Sequence, residues 1–158
     1  VKENDQTVSS TLIRKLIKEF RFSEIPSYLG REFSIFGKVV LGKKRGKKLG
    51  FPTANIKPGI TLALQNGVYV SKIKLDKKIY YGVANIGIKP TFGKNDVTVE
   101  TYIFNFEENI YGKFIEVIPL YQLRLEKKFS DVKELKHQIM LDIKATRNYL
   151  LDRKLLPI

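Results

Sequence analysis

Hydrophobic and polar positions follow two different periods along this chain, and the period changes twice. In SSTLIRKLIKEF, Ile13, Leu16, Ile17 and Phe20 recur at helical spacing, which puts them on one face of a helix. Ser9, Ser10 and Thr11 open that run, and their hydroxyls can accept the free amides of a helix start. RFSEIPSYLG predicts a shorter helical stretch ending at Gly30. From Arg31 the pattern becomes short and β-rich. FSIFGKVVLG, GVYVSKIKL, KIYYGVANIG, VTVETYIFNF and KFIEVIPLYQLRL are dominated by β-branched and aromatic residues. Glycine, proline or charged turns such as Asp76-Lys77-Lys78 separate them. Connections this short pair neighbouring strands antiparallel, so five or six strands predict a mainly-β fold closed into a barrel. Beyond Phe129 the helical period returns, with Ser130 as expected N-cap and Asp131 and Glu134 near the positive helix end. Val132, Leu135, Ile139, Ile143 and Leu150 form one apolar stripe, which must be buried, and the barrel is the surface available. The expected layout is a barrel over 31–129 and a C-terminal helix over 130–153, preceded by short helices.

Size and composition narrow the class. The 158 residues, 43% hydrophobic and 28% charged, suit one globular domain with a small appendage. No apolar run reaches the roughly 18–20 residues of a membrane span, and VKENDQTVSS lacks the apolar stretch of a secretion signal. The expectation is therefore a cytoplasmic protein without a membrane partner. With no cysteine, disulfides and thiolate metal sites are excluded. The net charge of +13 could attract nucleic acid, an anionic membrane or a small polyanion such as ATP. Lys57, Lys72, Lys74, Lys89 and Lys113 are scattered singly, which favours a lysine-rich surface over a dedicated binding face.

Candidate chemistry concentrates in GKKRGKKLGFPTANI, residues 42–56. The preceding GKVVLGKK nearly fits a Walker A loop, but Lys44 stands where the Mg²⁺-binding hydroxyl belongs, and Val39, Val40 and Leu41 read as strand. It is not a P-loop. Gly42, Gly46 and Gly50 let the backbone approach a ligand and offer free N–H groups to an anion. Lys43, Lys44, Arg45, Lys47 and Lys48 would add attraction for a triphosphate. A flexible basic hairpin loop is the plainer reading. After Pro52, Thr53 and Asn55 project to one side of an extended segment. Two readings stand open there: hard oxygen ligands for Mg²⁺, or a turn whose side chains bond the backbone.

Glu100 is the carboxylate with most at stake. Alternation groups it with Tyr102, Phe104 and Phe106, opposite Val97, Val99 and Ile103. Both faces are apolar, so its direction is open. Facing inward, a desolvated carboxylate is a stronger general base; facing outward, it is an ordinary solvated residue. His137, the only histidine, falls off the helix stripe and cannot by itself form a metal cluster. Tyr80 and Tyr81 beside a basic loop could stack nucleic-acid bases, although strand aromatics are more often core.

The run LGFPTANI is less generic. In order, the chain reads RGKKLGFPTANI, GVY (Gly67 to Tyr69), NIGIKPTFG (Asn85 to Gly93) and VETYIFNF around Glu100. IYGK (Ile110 to Lys113), LRLEKKF (Leu123 to Phe129) and the final helix follow. This ordered set resembles the riboflavin kinase family, most closely the kinase module of bacterial bifunctional riboflavin kinase/FMN adenylyltransferases. The resemblance implies a six-stranded antiparallel barrel with a C-terminal helix. It implies Mg²⁺ as cofactor, ATP and riboflavin as substrates, and FMN and ADP as products, with no nucleic-acid partner. Gly42, Gly46, Lys48, Gly50 and Pro52 would belong to a flap over ATP, with Thr53 and Asn55 holding Mg²⁺ and nucleotide. Glu100 would take the proton from the riboflavin 5′-hydroxyl. The loop through IKPTFGKND would close near the flavin with Thr91 and Phe92, and Arg124 would be a flavin-side contact. Relatives often carry histidine two residues after the glutamate, where this chain has Tyr102, so no role follows for that position.

VSSTLIRKLI resembles the last motif of the adenylyltransferase module, with Ser10, Thr11 and Arg14 at its phosphate-contacting positions. A chain whose one histidine is His137 cannot contain that module's HxGH signature. Residues 1–30 are therefore expected to be a remnant of that module and linker, and 31–158 the kinase domain. The remaining module is expected N-terminal in the same polypeptide, and this chain is expected to make FMN but not FAD. Two rival readings are a nucleic-acid-binding barrel and a flavin-binding module without catalysis, which would tolerate Glu100→Gln.

Overall fold

The computed structural model describes residues 2–3, 6–7, 9–42, 45–58, 63–91 and 94–156. The short pair β1 (Lys2–Glu3) and β2 (Gln6–Thr7) precedes α1 (Ser10–Lys18), a 3-10 turn (Phe22–Glu24) and α2 (Ile25–Leu29). Ser9 caps α1 by accepting the Leu12 amide at 3.1 Å. Gly30 ends α2 in the left-handed conformation, φ 70°, where glycine carries no Cβ penalty.

Six strands close a barrel in the order β3-β4-β7-β6-β5-β8, every pair antiparallel. They are β3 (Ile35–Val40), β4 (Ala54–Ile56), β5 (Gly67–Leu75), β6 (Lys78–Thr91), β7 (Lys94–Ile103) and β8 (Phe114–Leu125). The one-turn helix α3 (Arg45–Lys48) lies between β3 and β4. The expected six-stranded, mainly-β barrel with flanking helices is the observed one. The C-terminal helix (Val132–Asp152) and the strand ending at Ile103 are slightly shorter than expected, and one segment differs in kind. The segment IKPTFGKND, expected as a loop, continues the β6–β7 ladder as far as Thr91↔Lys94. Backbone pairing in the hairpin extends through both flanks of the segment.

Alternation sorts side chains into two cores. Ile35, Tyr69, Ile73, Ile86, Val99 and Val117 fill the barrel interior. Leu16, Ile17, Phe22 and Ile25 join the same cluster, so the N-terminal helices close one barrel end over Tyr69. The Phe20 and Phe22 rings approach Tyr69 at 6.4 and 6.3 Å. Tyr69 donates its hydroxyl to the Gln65 carbonyl at 2.7 Å, and burial pushes the phenol up to about 12.

The second core lies outside the barrel wall, under α4 (Val132–Asp152). Val70, Phe104 and Leu150 are its buried members, with Val83, Tyr102, Leu123 and Ile143 around them. A fully buried aliphatic side chain such as Leu150 contributes roughly 1.5–3 kcal/mol. The expected stripe needs two corrections. Val132 is 62% exposed, because the first turn of α4 precedes the packing surface. The buried line instead includes Asp142 and Thr146 ahead of Leu150. The N-cap is Asp131 rather than Ser130: its carboxylate accepts the Glu134 amide at 2.8 Å, while Ser130 donates to Glu134 through N–H (2.9 Å) and Oγ (2.8 Å).

These contacts make α4 pH-sensitive at its start. The Ser130 N–H, the Lys127 ammonium and the Ser130 hydroxyl hold the Glu134 carboxyl down to about 2, from an ordinary 4.5. A carboxyl depressed in the folded state stabilises above its unfolded value and stops doing so as pH falls through the folded one. The urea midpoint should therefore drop between pH 4.5 and about pH 2, and Glu134→Gln should remove part of that drop. Identical acid profiles for the two proteins would show that these bonds do not operate in solution.

Candidate active site

Barrel register aligns one row of residues across all six strands. Val40 on β3 pairs Asn55 on β4, and Asn55 pairs Glu100 on β7. Glu100 pairs Asn85 on β6, Asn85 pairs Val68 on β5, and Val68 pairs Arg124 on β8. All six line one cleft of about 740 Å³ on the outer face of the wall. The segment between β3 and β4 forms one side, and Leu135, Ile139 and Ile143 of α4 form the other.

This placement settles the direction of Glu100. Val97, Val99, Thr101 and Ile103 are buried in the barrel, so Glu100 points out of it. It is nonetheless half-buried, because the cleft walls stand over it. The outward face is neither core nor open solvent.

The β3–β4 segment leans onto Asn55. A Cβ at Gly42 would run into the Asn55 carboxamide, so a side chain there would displace Asn55 from its present position. Within the segment, Phe51 N–H and Leu49 N–H both donate to the Gly46 carbonyl, at 2.8 and 3.0 Å. The Gly50 N–H donates to the Lys47 carbonyl at 3.2 Å, with φ +89°. That amide closes the turn and is not free for an anion. The Phe51 ring meets Tyr102 edge-on at 5.8 Å, anchoring the segment to the wall.

The cleft therefore gathers Gly42, Gly46, Thr53, Asn55, Glu100 and Arg124. Lys48, Gly50 and Pro52 do not line it, and neither do Ser10, Thr11 and Arg14 of α1. Lys43, Lys44 and Phe92 lie outside the described residues, and Arg45 and Thr91 are described in backbone only. His137 is exposed on α4 as expected. Tyr80 packs against the barrel core and Tyr81 against the outer one, so neither offers a free stacking face. Sequence reasoning assigned nothing to Asn85 or Asp142, both of which line the cleft. Asn85 stands in the quoted NIGIKPTFG run, and its register with Glu100 is the signal that reveals it.

The riboflavin kinase (flavokinase) family model matches residues 29–150. The chain belongs to the riboflavin kinase family. It is 42% identical over 150 residues to the bifunctional riboflavin kinase/FMN adenylyltransferase of Buchnera aphidicola subsp. Schizaphis graminum, covering 93% of this chain and 48% of that protein. The chain spans about half the length of the curated relatives it matches. Among solved structures, riboflavin kinase from Trypanosoma brucei superposes with TM-score 0.52 at 26% identity, over 75% of this chain and 79% of that one. A Streptococcus pneumoniae structure described as a macrolide-efflux protein gives TM-score 0.81 at 34% identity, over 94% of this chain and 49% of that one.

For a member of the riboflavin kinase family, the donors near Asn55 bear on the expected Mg²⁺. Among the described residues, no group of three or more His, Cys, Asp or Glu could hold a metal. Mg²⁺ needs no such cage, since it binds one or two protein oxygens and completes its shell with substrate phosphates and water. Thr53 and Asn55 supply neutral oxygens, and Glu100 is the adjacent carboxylate. The Asn55 Nδ2 donates to the Thr53 carbonyl at 3.4 Å. Among the described residues, that long bond is the only one holding the carboxamide to the turn, and its oxygen accepts none. The donor set fits the ion.

Proposed function

We propose that this riboflavin kinase family member transfers the γ-phosphoryl group of Mg-ATP to the 5′-hydroxyl of riboflavin, giving FMN and ADP. The observation that carries the reading is the Asn55–Glu100 pair, adjacent across β4 and β7 inside the cleft. With Asn55 read as a neutral oxygen ligand and Glu100 as the base, the pair supports phosphoryl transfer to an alcohol, which needs the two close together.

Glu100 accepts the proton of the riboflavin 5′-hydroxyl as that oxygen forms its bond to the γ-phosphorus. The bond from the γ-phosphorus to the β,γ-bridging oxygen breaks, and ADP leaves with the electron pair. Thr53 and Asn55 would hold Mg²⁺, which when bound neutralises charge on the phosphate oxygens. Gly42 and Gly46 bring backbone over the phosphates without side chains in the way. Lys47 and Lys48 are exposed on the same segment and attract the triphosphate at longer range.

In this reading the reaction is cytoplasmic, and residues 1–30 end an adenylyltransferase module whose remainder precedes them. FAD formation would belong to that remainder. Among the described residues, no helix is long and apolar enough to cross a membrane.

The test is to incubate the chain with riboflavin, ATP and Mg²⁺ and separate riboflavin, FMN and FAD by chromatography. FMN without FAD is the expected result. Riboflavin and ATP binding without FMN would overturn the catalytic reading.

A further inference from the structure

Arg124 stands at the far end of the cleft-floor row, three strand spacings from Glu100, roughly 14 Å. Its partner comes from another element. Arg124 Nε donates to both Asp142 oxygens, at 3.0 and 3.1 Å, and Nη2 donates to Oδ2 at 2.8 Å. Gln138 Nε2 donates to Asp142 Oδ1 at 3.0 Å. The Asp142 side chain is 8% exposed and that of Arg124 22%. Arg124 Nη1 donates to the Leu125 carbonyl at 3.1 Å, and the guanidinium stands 5.7 Å from the Phe129 ring centre.

A guanidinium carries five N–H groups. These contacts engage Nε and one N–H on each terminal nitrogen; among the described residues one N–H on each remains without a partner, and Arg124 lines the cleft. A buried carboxylate in the middle of a helix face is a poor stabiliser, since an apolar pair of similar volume often does as well. The pair joins α4 to β8, but a buried pair is weak evidence of a purely stabilising role.

We propose that Asp142 is a positioning residue for substrate binding: it locks the Arg124 fork so that its remaining N–H groups meet acceptor atoms of the flavin ring. The proposal rests on the riboflavin kinase reading, in which phosphates lie at the Asn55 end of the row and the 5′-hydroxyl at Glu100. The ring then extends over β6, β5 and β8 toward Arg124. Because Asp142 belongs to α4, docking of that helix and capture of the ring become one event.

The experiment follows quenching of riboflavin fluorescence, alongside kcat and the KM of each substrate. Asp142→Asn keeps the side-chain shape and should weaken riboflavin binding about tenfold, the scale of a lost charge-assisted hydrogen bond. Its riboflavin KM should rise, with kcat and the ATP KM close to wild type. Asp142→Glu should recover much of the affinity. Arg124→Lys keeps the charge but not the fork and should match Asp142→Asn; it decides the matter if Asp142→Asn does not fold. Wild-type riboflavin affinity in the folded variants, or a loss of melting temperature and kcat with riboflavin KM unmoved, would overturn the proposal. A wild-type chain that binds riboflavin and ATP without making FMN sinks the kinase reading and leaves the binding comparison valid. One that binds no riboflavin sinks both.

Discussion

Glu100→Gln should lower the rate of FMN formation by ~10²–10⁴-fold, the usual contribution of a general base, while riboflavin still binds. The variant is informative because the change is nearly isosteric and the surroundings are polar. Glu100 sits between two carboxamides, Asn55 and Asn85, in the same register row, and a third amide there creates no packing defect. Loss of turnover with retained riboflavin quenching and an unchanged Mg²⁺ dependence would therefore report on the proton acceptor. Wild-type turnover would remove Glu100 as the base and leave the kinase activity to other groups of the cleft. Loss of both turnover and binding would assign Glu100 to substrate contact instead.

Asn55→Ala is expected to cost ~10²–10³-fold in turnover, on the scale of deleting one oriented group that stabilises developing charge. It should also raise the Mg²⁺ concentration needed for half-maximal rate. The carboxamide occupies the space a Cβ at Gly42 would take, so truncation opens space where the β3–β4 segment lies beside the cleft. A melting curve separates that packing loss from the loss of a ligand. Asn55→Asp supplies the control, since it restores an oxygen donor and should recover part of the Mg²⁺ response. Unchanged Mg²⁺ dependence in Asn55→Ala would remove Asn55 from the metal site and leave the turn as its role.

The sequence made some elements plain and others illegible for identifiable reasons. The helical period of residues 10–18 and the long β-branched runs were readable because each is a local repeat. The strand Ala54–Ile56 is three residues long, too short to show alternation, and its pairing with both β3 and β7 is what makes it a strand. Ser130 and Asp131 are both good caps, and the choice fell to the one whose carboxylate reaches the Glu134 amide.

Glu100 shows the limit most clearly. The direction of β7 was ambiguous because the strand is apolar on both faces. Val99 belongs to the barrel core and Phe104 to the layer under α4, so each face is covered and neither reads as solvent. Arg124 is legible as a candidate from its LRLE run, whereas its partner is not. Asp142 lies 18 residues further on, and the two meet only because α4 folds back over the wall that β8 helps to form.

What the sequence determined by itself was the kind of structure and the kinds of side chain available: strands, helices, glycines in a basic segment, oxygen donors and a carboxylate in a strand apolar on both faces. These follow from backbone preferences and side-chain chemistry, which act over a few residues. The tertiary structure decided which of those side chains share a surface. Closing the barrel set the register of six strands together, and that register put Asn55, Glu100, Asn85 and Arg124 in one row. A shift of one residue in any strand would turn its member of the row to the other face.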